Sequence, residues 1–224
     1  MIVKIKRQST PESTPYWQSF SYNGPSHVTV SAVLDAINYT DDLFDIEGNP
    51  APRIRWECSC LQTICGGCAI VINGVPALAC NTFVDEVKGK ELVLEPLSKF
   101  PVVADLIVDR SIIYENLNAA KAYIQSLAES NKEQHEHQYS VSKCLKCGLC
   151  LEVCPNYSFG GKFYGAQFAN ESYLITSQSK DGQPQLVDEY KAHFGAGCSK
   201  ALSCQTVCPV GIETITSIMK MNRK

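Results

Sequence analysis

Cysteine is the residue type that gives this chain its chemistry, because twelve of its 224 residues are cysteines. They fall into three groups along the chain: Cys58, Cys60, Cys65, Cys68 and Cys80; then Cys144, Cys147, Cys150 and Cys154; then Cys198, Cys204 and Cys208. We expect no secretory signal, since the first seven residues alternate like a strand and contain no apolar run with a cleavage site. Disulfides are then a weak explanation, and thiolate binding of metal is the better one.

The first group has the spacing C-x4-C-x2-C with a distant fourth cysteine, which is typical of plant-type ferredoxins. Two sulfide-bridged irons need four thiolates around a small volume, and Gly66 and Gly67 allow the backbone to fold that closely. Their N–H groups are expected to point at the sulfurs and stabilise the reduced state. A tetrathiolate zinc site fits less well, because such sites favour paired C-x2-C units. The sequence predicts a [2Fe–2S] cluster held by Cys60, Cys65, Cys68 and Cys80.

Cys58 is left over from the first group. Using it in place of Cys60 would stretch the first interval to six residues. We therefore expect Cys58 to be a small buried hydrophobic residue on a strand that enters the loop, not a ligand.

The second and third groups repeat one pattern, C-x2-C-x2-C-x3-C-P, with Ala201 where the third group should have its middle cysteine. In two-cluster ferredoxins the fourth cysteine of each run binds the other cluster. A zinc site is a strained alternative for seven cysteines at these intervals. The complete set, predicted to hold a [4Fe–4S] cluster, is Cys144, Cys147, Cys150 and Cys208. The three that remain, suited to a [3Fe–4S] cluster, are Cys154, Cys198 and Cys204.

Strands and turns dominate the part of the chain that carries the first group. Residues 2–5 alternate, residues 28–30 follow a Gly24-Pro25 turn, and residues 69–72 run into Asn73-Gly74, a strong hairpin signal. Thr29 or Ser31 is placed to cap a short helix. The prediction is an α+β domain over residues 1–103.

Helical spacing begins after Pro101. Ile113, Leu117, Ala120 and Ile124 recur on one face of a segment that ends near residue 130. The polar residues 131–140, which include two histidines, are interpreted as an exposed connection without a metal role. The prediction is an all-α domain over residues 104–224.

The overall composition excludes some classes of function. With 45% hydrophobic residues, 19% charged residues and a net charge of −3, the chain is typical of a globular protein, and nothing in it favours nucleic-acid binding. The longest apolar stretch, residues 68–80, is interrupted by Asn73, Gly74 and Pro76 and is too short to span a bilayer.

One plant-type motif followed by this pair resembles the iron–sulfur subunit of succinate dehydrogenase and fumarate reductase, the complex II family. Further similar segments are Arg55-Trp56, Leu78-Ala79-Cys80 and residues 100–109. The resemblance implies a β-grasp domain facing a flavoprotein subunit with FAD, and a helical domain facing a membrane anchor. It also implies electron transfer between flavin and quinone through the [2Fe–2S], [4Fe–4S] and [3Fe–4S] clusters in that order. The subunit would be peripheral, on the cytoplasmic face of the membrane, and not catalytic alone.

The sequence departs from this family at the quinone end. Where succinate dehydrogenases have a tryptophan and a histidine, it has Tyr157 and Phe159, then Ser199 and Lys200, which is closer to the fumarate reductase branch. Lys200 is either a hydrogen-bond donor to quinone or a solvated surface lysine. The direction of turnover stays open. Two alternatives also stay open: a related fumarate reductase with a non-quinone donor, and a free multicluster ferredoxin.

Overall fold

Two units make up the computed structural model, Met1–Asp109 and Arg110–Lys224. The structure describes residues 1–128 and 135–224. The first unit is α+β and the second is helical, in agreement with the fold class predicted from the sequence.

A mixed five-stranded sheet in the order β2-β1-β5-β3-β4 forms the first unit. Its strands are β1 (Ile2–Arg7), β2 (Tyr16–Ser21), β3 (Ala69–Ile72), β4 (Val75–Leu78) and β5 (Leu92–Glu95). Strands β1 and β5 are parallel, whereas the other neighbours are antiparallel. A separate two-stranded ribbon follows, β6 (Val102–Ala104) and β7 (Ile107–Val108). Alternate residues of β1 are buried, because successive side chains of a strand point to opposite faces.

The helix of the first unit, α1 (Val30–Asn38), starts one residue after its cap. The Thr29 hydroxyl oxygen accepts a hydrogen bond from Ala32 N–H at 3.3 Å, which confirms a capping role for Thr29. The strand predicted at residues 28–30 was wrong, since Val30 already belongs to the helix. The cap explains this outcome, because it satisfies an N–H group that the first helical turn leaves without a partner.

The Asn73-Gly74 turn confirms the predicted hairpin. Both residues have positive φ, 46° and 79°, as a two-residue turn matched to strand twist requires. The Asn73 side chain accepts from Val93 N–H at 2.6 Å and donates to the carbonyls of Lys88 and Glu91. The turn therefore fixes the β3–β4 hairpin and ties it to β5.

A buried ion pair joins the first strand to the turn between β6 and β7. Arg7 and Asp105 are 2% and 3% exposed, and Arg7 Nε lies 3.0 Å from Asp105 Oδ1. The carboxylate also accepts from the N–H groups of Gln8 at 3.0 Å and Arg55 at 2.9 Å. Asp105 thus compensates one charge and accepts from two backbone donors, and these partners come from two separate segments of the chain.

The second unit surrounds one long helix, α5 (Gly165–Gln178). The other helices are α2 (Ser111–Ala119), α3 (His135–Ser142), α4 (Leu149–Glu152), α6 (Pro184–Tyr190), α7 (Ser203–Thr206) and α8 (Thr214–Met221). Helix α5 contacts α2, α3, α4, α6 and α8. Phe168, Ala169 and Tyr173 of α5 are almost wholly buried in a core that also includes Ile218 and Met221 of α8. No helix in the described parts of the chain is long and apolar enough to cross a bilayer.

Two helix boundaries differ from those predicted. Helix α2 ends at Ala119, far before residue 130, because Lys121 takes a positive φ of 50° that an α-helix cannot continue through. Of the predicted connection, residues 131–134 lie outside the described residues, and His135 begins α3. Val141 anchors α3 in the core, and His137 Nε2 lies 2.9 Å from Ser217 Oγ. The expectation of an exposed connection was therefore wrong for residues 135–140, which belong to α3.

Replacing Asp105 with alanine should lower the free energy of unfolding of the first unit by about 3–5 kcal/mol, because the Arg7 charge stays buried without its counter-ion. Urea unfolding followed by tryptophan fluorescence measures this, since both tryptophans, Trp17 and Trp56, lie in the first unit. Asp41→Ala, at an exposed aspartate, is the matched control and should change stability by less than about 0.5 kcal/mol. Equal stability of the two variants would contradict this role for Asp105.

Candidate iron–sulfur cluster sites

The β3–β4 hairpin brings together two of the four thiols predicted for the first cluster. Cys68 directly precedes β3 and Cys80 lies just after β4, and the strands pair Ala69 with Leu78. Ala79 N–H donates to the Cys68 carbonyl at 3.0 Å, and Cys80 N–H donates to Cys68 Sγ at 3.5 Å. Cys80 is distant from Cys68 in sequence but close to it in space, because the pairing of β3 with β4 brings the chain back beside Cys68.

The loop that carries the other two thiols curls around the Cys60 sulfur. Its curvature rests on three positive φ angles: Leu61 (54°), Thr63 (59°) and Gly66 (75°). Three backbone N–H groups donate to Cys60 Sγ at 3.3–3.4 Å: those of Gln62, Ile64 and Cys65. These bonds favour the thiolate and lower the pKa of Cys60 to about 6. The loop is thus shaped to hold a negatively charged sulfur.

The hydrogen bonds confirm the predicted role for one of the two glycines of this loop. Gly67 N–H donates to Cys65 Sγ at 3.4 Å, as expected, whereas the same role for Gly66 stays a prediction. Cys68 differs from Cys60, because burial raises the pKa of its thiol to about 12. Deprotonation of Cys68 therefore requires a nearby positive charge, which bound iron would supply.

Cys58 does not lie where the sequence indicated. It is exposed and belongs to no strand, so the expectation of a buried residue on a strand was wrong. Residues 51–58 run without regular structure, and this explains the difference, because no sheet neighbour covers the Cys58 side chain. Partial burial raises its pKa, and the Asp35 and Cys65 charges raise it further.

The two motifs of the helical unit adopt the same backbone path. The second and fourth residues after the first cysteine of each motif have positive φ: Lys146 (52°) and Gly148 (85°), and Lys200 (60°) and Leu202 (58°). A one-turn helix follows in each, α4 and α7, with Cys150 in the first and Cys204 in the second. The motifs are therefore a repeat in structure as well as in spacing.

All four thiols predicted for the [4Fe–4S] cluster line one cavity. They are Cys144, Cys147, Cys150 and Cys208, and Cys204 reaches the same lining. Burial raises the pKa of Cys147 to about 11 and that of Cys150 well above its usual value, and the facing thiols raise both further. Without a cation these thiols stay protonated, whereas iron compensates several thiolates at once.

Among the three remaining thiols, Cys204 lies near both of the others. Burial raises the pKa of Cys204, and the nearby Cys154 and Cys198 raise it further. Lys200 N–H donates to Cys198 Sγ at 3.4 Å, and Ser199 Oγ donates to Asn156 at 2.8 Å, which joins the two motifs. Ala201 is exposed and offers only a methyl group to this set.

Several observations fit iron–sulfur clusters. Sulfurs receive backbone hydrogen bonds, thiols from distant segments face one another, and a cavity lies between four of them. Among residues 1–128 and 135–224, no group of three or more histidine, cysteine or acidic side chains is arranged to hold a single metal ion.

The structure also adds two residues that sequence reasoning missed. Gln167 and Asn170 of α5 line the same cavity as the four thiols, and both are nearly fully buried. Their i, i+3 spacing places them on one helix face, but only the buried position of that face distinguishes them from surface amides.

Comparison with known protein families gives two matches. Residues 2–115 match the 2Fe-2S iron-sulfur cluster binding domain, and residues 140–212 match the 4Fe-4S dicluster domain.

Comparison with individual proteins covers nearly the whole chain. It is 31% identical to the succinate dehydrogenase iron-sulfur subunit of Bacillus subtilis, over 98% of this chain and 90% of that protein. It is 30% identical to the fumarate reductase iron-sulfur subunit of Escherichia coli O6:H1, over 94% of this chain and 87% of that protein. Its fold is similar to that of a chain of the Mycobacterium smegmatis Sdh1 complex in the apo form, with a TM-score of 0.75 and 22% identity over 100% of this chain and 96% of that one.

Replacing Cys65 with serine should abolish or shift the electron paramagnetic resonance signal of the reduced [2Fe–2S] cluster, because one thiolate is lost. Cys58→Ser is the matched control, since Cys58 is exposed and close to Cys65, and it should leave the signal intact. Equal loss in both variants would make Cys58 a ligand.

Proposed function

The chain belongs to the family of succinate dehydrogenase and fumarate reductase iron–sulfur subunits, and we propose that it links the FAD of a flavoprotein subunit to a quinone held by a membrane anchor. As an electron-transfer subunit of such a complex, it is part of an oxidoreductase. The three proposed clusters are distributed over the two domains predicted from the sequence, with one cluster in residues 1–103 and two in residues 104–224.

The proposed ligands are the three thiol sets predicted from the spacing. The [2Fe–2S] set is Cys60, Cys65, Cys68 and Cys80; the [4Fe–4S] set is Cys144, Cys147, Cys150 and Cys208; and the [3Fe–4S] set is Cys154, Cys198 and Cys204. When bound, such clusters accept and release single electrons at potentials set by cluster type, charge, hydrogen bonding and exposure. The protein supplies thiolates, backbone donors and buried surroundings.

The observation that carries the proposal is the crossing of thiols between the two motifs of the helical unit. Cys208, from the third group, lines the cavity of the second group, and Cys204 lies between that cavity and its neighbours Cys154 and Cys198. Because Cys204 borders both sites, the two sites lie near each other, as electron transfer between successive redox centres requires. A free-standing ferredoxin is disfavoured by the near full-length similarity to complex subunits.

The proposed quinone end lies at the third motif. Phe159 and Lys200 are exposed there, whereas Tyr157 is buried beside Cys150. An exposed ammonium group next to the predicted three-iron site is placed to donate to a quinone oxygen. In this proposal the protein is peripheral, held at the cytoplasmic face of the membrane by its partners. A soluble donor in place of quinone is the second candidate, favoured by a buried Tyr157 where the resemblance to succinate dehydrogenases implies a tryptophan.

Purifying the chain alone and in complex with its flavoprotein and anchor subunits tests the function. The chain alone should carry clusters but turn over neither succinate nor fumarate, because in this proposal the flavin and the dicarboxylate site belong to the flavoprotein subunit. The complex should couple either substrate to quinone. Turnover by the single chain would contradict the assignment, and turnover with dyes but not with quinone would favour the soluble donor.

Replacing Ala201 with cysteine should convert the [3Fe–4S] site into a four-iron site, because it supplies the missing thiolate. Electron paramagnetic resonance of air-oxidised protein measures this: the wild type should show an oxidised three-iron signal, and the variant should lose it. The site's potential should fall and quinone-linked turnover should slow. A wild-type protein with full iron content and no three-iron signal would overturn the three-ligand assignment.

A further inference from the structure

Two amide side chains stand among the thiols and apolar groups of the four-iron cavity. Gln167 is 3% exposed and Asn170 is 5% exposed, and both line the cavity from α5. Apolar groups make up much of the remaining wall: Leu145, Pro209, Val210 and Ile212. Polar side chains in such a place are expected to have hydrogen-bond partners.

Only one of the two amide nitrogens has a hydrogen-bond partner within the described protein. Asn170 Nδ2 donates to Thr214 Oγ1 at 3.1 Å, which ties α5 to the start of α8 and fixes this face of the helix. Gln167 Nε2 is buried and has no hydrogen-bond partner among the described residues. Since a buried donor without a partner costs free energy, whatever fills the cavity is expected to accept from it.

The Lys146 ammonium group, a second possible donor in the cavity lining, already forms an ion pair within the protein. Lys146 Nζ lies 2.8 Å from the Glu171 carboxylate, and both side chains are largely buried. The Lys146 charge is therefore compensated within the protein. Among the described side-chain nitrogens that line this cavity, Gln167 Nε2 is the one that is buried without a hydrogen-bond partner.

We propose that Gln167 Nε2 donates a hydrogen bond to a sulfur of the four-iron cluster and thereby raises its reduction potential. The inference rests on the proposed function, since it needs the cluster at Cys144, Cys147, Cys150 and Cys208. Sulfur becomes a better acceptor as the cluster gains an electron, so an N–H donor stabilises the reduced state more than the oxidised state. Gln167 is thus a residue that sets the energy of the middle step of electron transfer without being a ligand.

Gln167→Met tests this, because methionine keeps the length of the unbranched side chain and removes the donor. A redox titration of the cluster-loaded protein, followed by electron paramagnetic resonance of the reduced four-iron signal, should show a more negative midpoint. The [2Fe–2S] midpoint in the same sample should not move. An unchanged or more positive four-iron midpoint would overturn the proposal.

Ser172→Ala is the matched control. Ser172 lies on the same helix, is fully buried and also has an Oγ without a hydrogen-bond partner among the described residues, but it does not line the cavity. Its substitution should leave the four-iron midpoint unchanged. An equal shift in this control would assign the effect to helix packing and overturn the role of Gln167.

A measurement on the wild type keeps the inference testable even if the variants do not assemble. Protein labelled with ¹⁵N in its glutamine side chains should show hyperfine coupling of a side-chain nitrogen to the reduced four-iron cluster. A reduced cluster without such coupling would overturn the hydrogen bond while leaving the cluster assignment intact. A fully loaded wild type without any four-iron signal would instead overturn the assignment and the inference with it.

Discussion

The structure of the helical unit depends on how it accommodates several cysteine thiols that face one another in a buried space. Burial and mutual charge raise the pKa of Cys147, Cys150 and Cys204, so these groups prefer to be neutral unless a cation is present. The free energy of metal binding therefore also stabilises the folded helical unit, because the ligands come from segments about 60 residues apart in sequence. Helix α5 lies between those segments and carries the core that holds them in place.

The first unit meets the same requirement in a different way. Its sheet and the Asn73-Gly74 turn position two thiols by strand pairing, while the exposed loop holds Cys60 through backbone N–H groups. A thiolate with a pKa of about 6 and a buried thiol with a pKa of about 12 thus belong to one predicted ligand set. The loop side of the site is more exposed than the hairpin side, which suits a centre that exchanges electrons with a partner.

Much of this was predictable from the sequence, because spacing between ligands is a local property. The spacing within each cysteine group, the Thr29 cap and the Asn73-Gly74 hairpin each depend on a few neighbouring residues. The early end of α2, the helix at His135 and the exposure of Cys58 depend on features that the hydrophobic spacing does not show. These are the positive φ of Lys121, the packing of Val141 in the core and the lack of a sheet neighbour beside Cys58. Asp105 and Gln167 were missed for the same reason, since their importance comes from burial beside groups far away in sequence.

The crossing of Cys208 into the cavity of the second group has a consequence for biosynthesis. Chains emerge from the ribosome N-terminus first, and domains generally fold in that order. The predicted [2Fe–2S] ligands all lie within residues 60–80, so that set of cysteines is complete before the second and third groups are translated. The [4Fe–4S] set instead waits for Cys208, which lies 58 residues after Cys150, so the scaffold that delivers iron and sulfide meets an unfinished cavity until the third cysteine group has been translated.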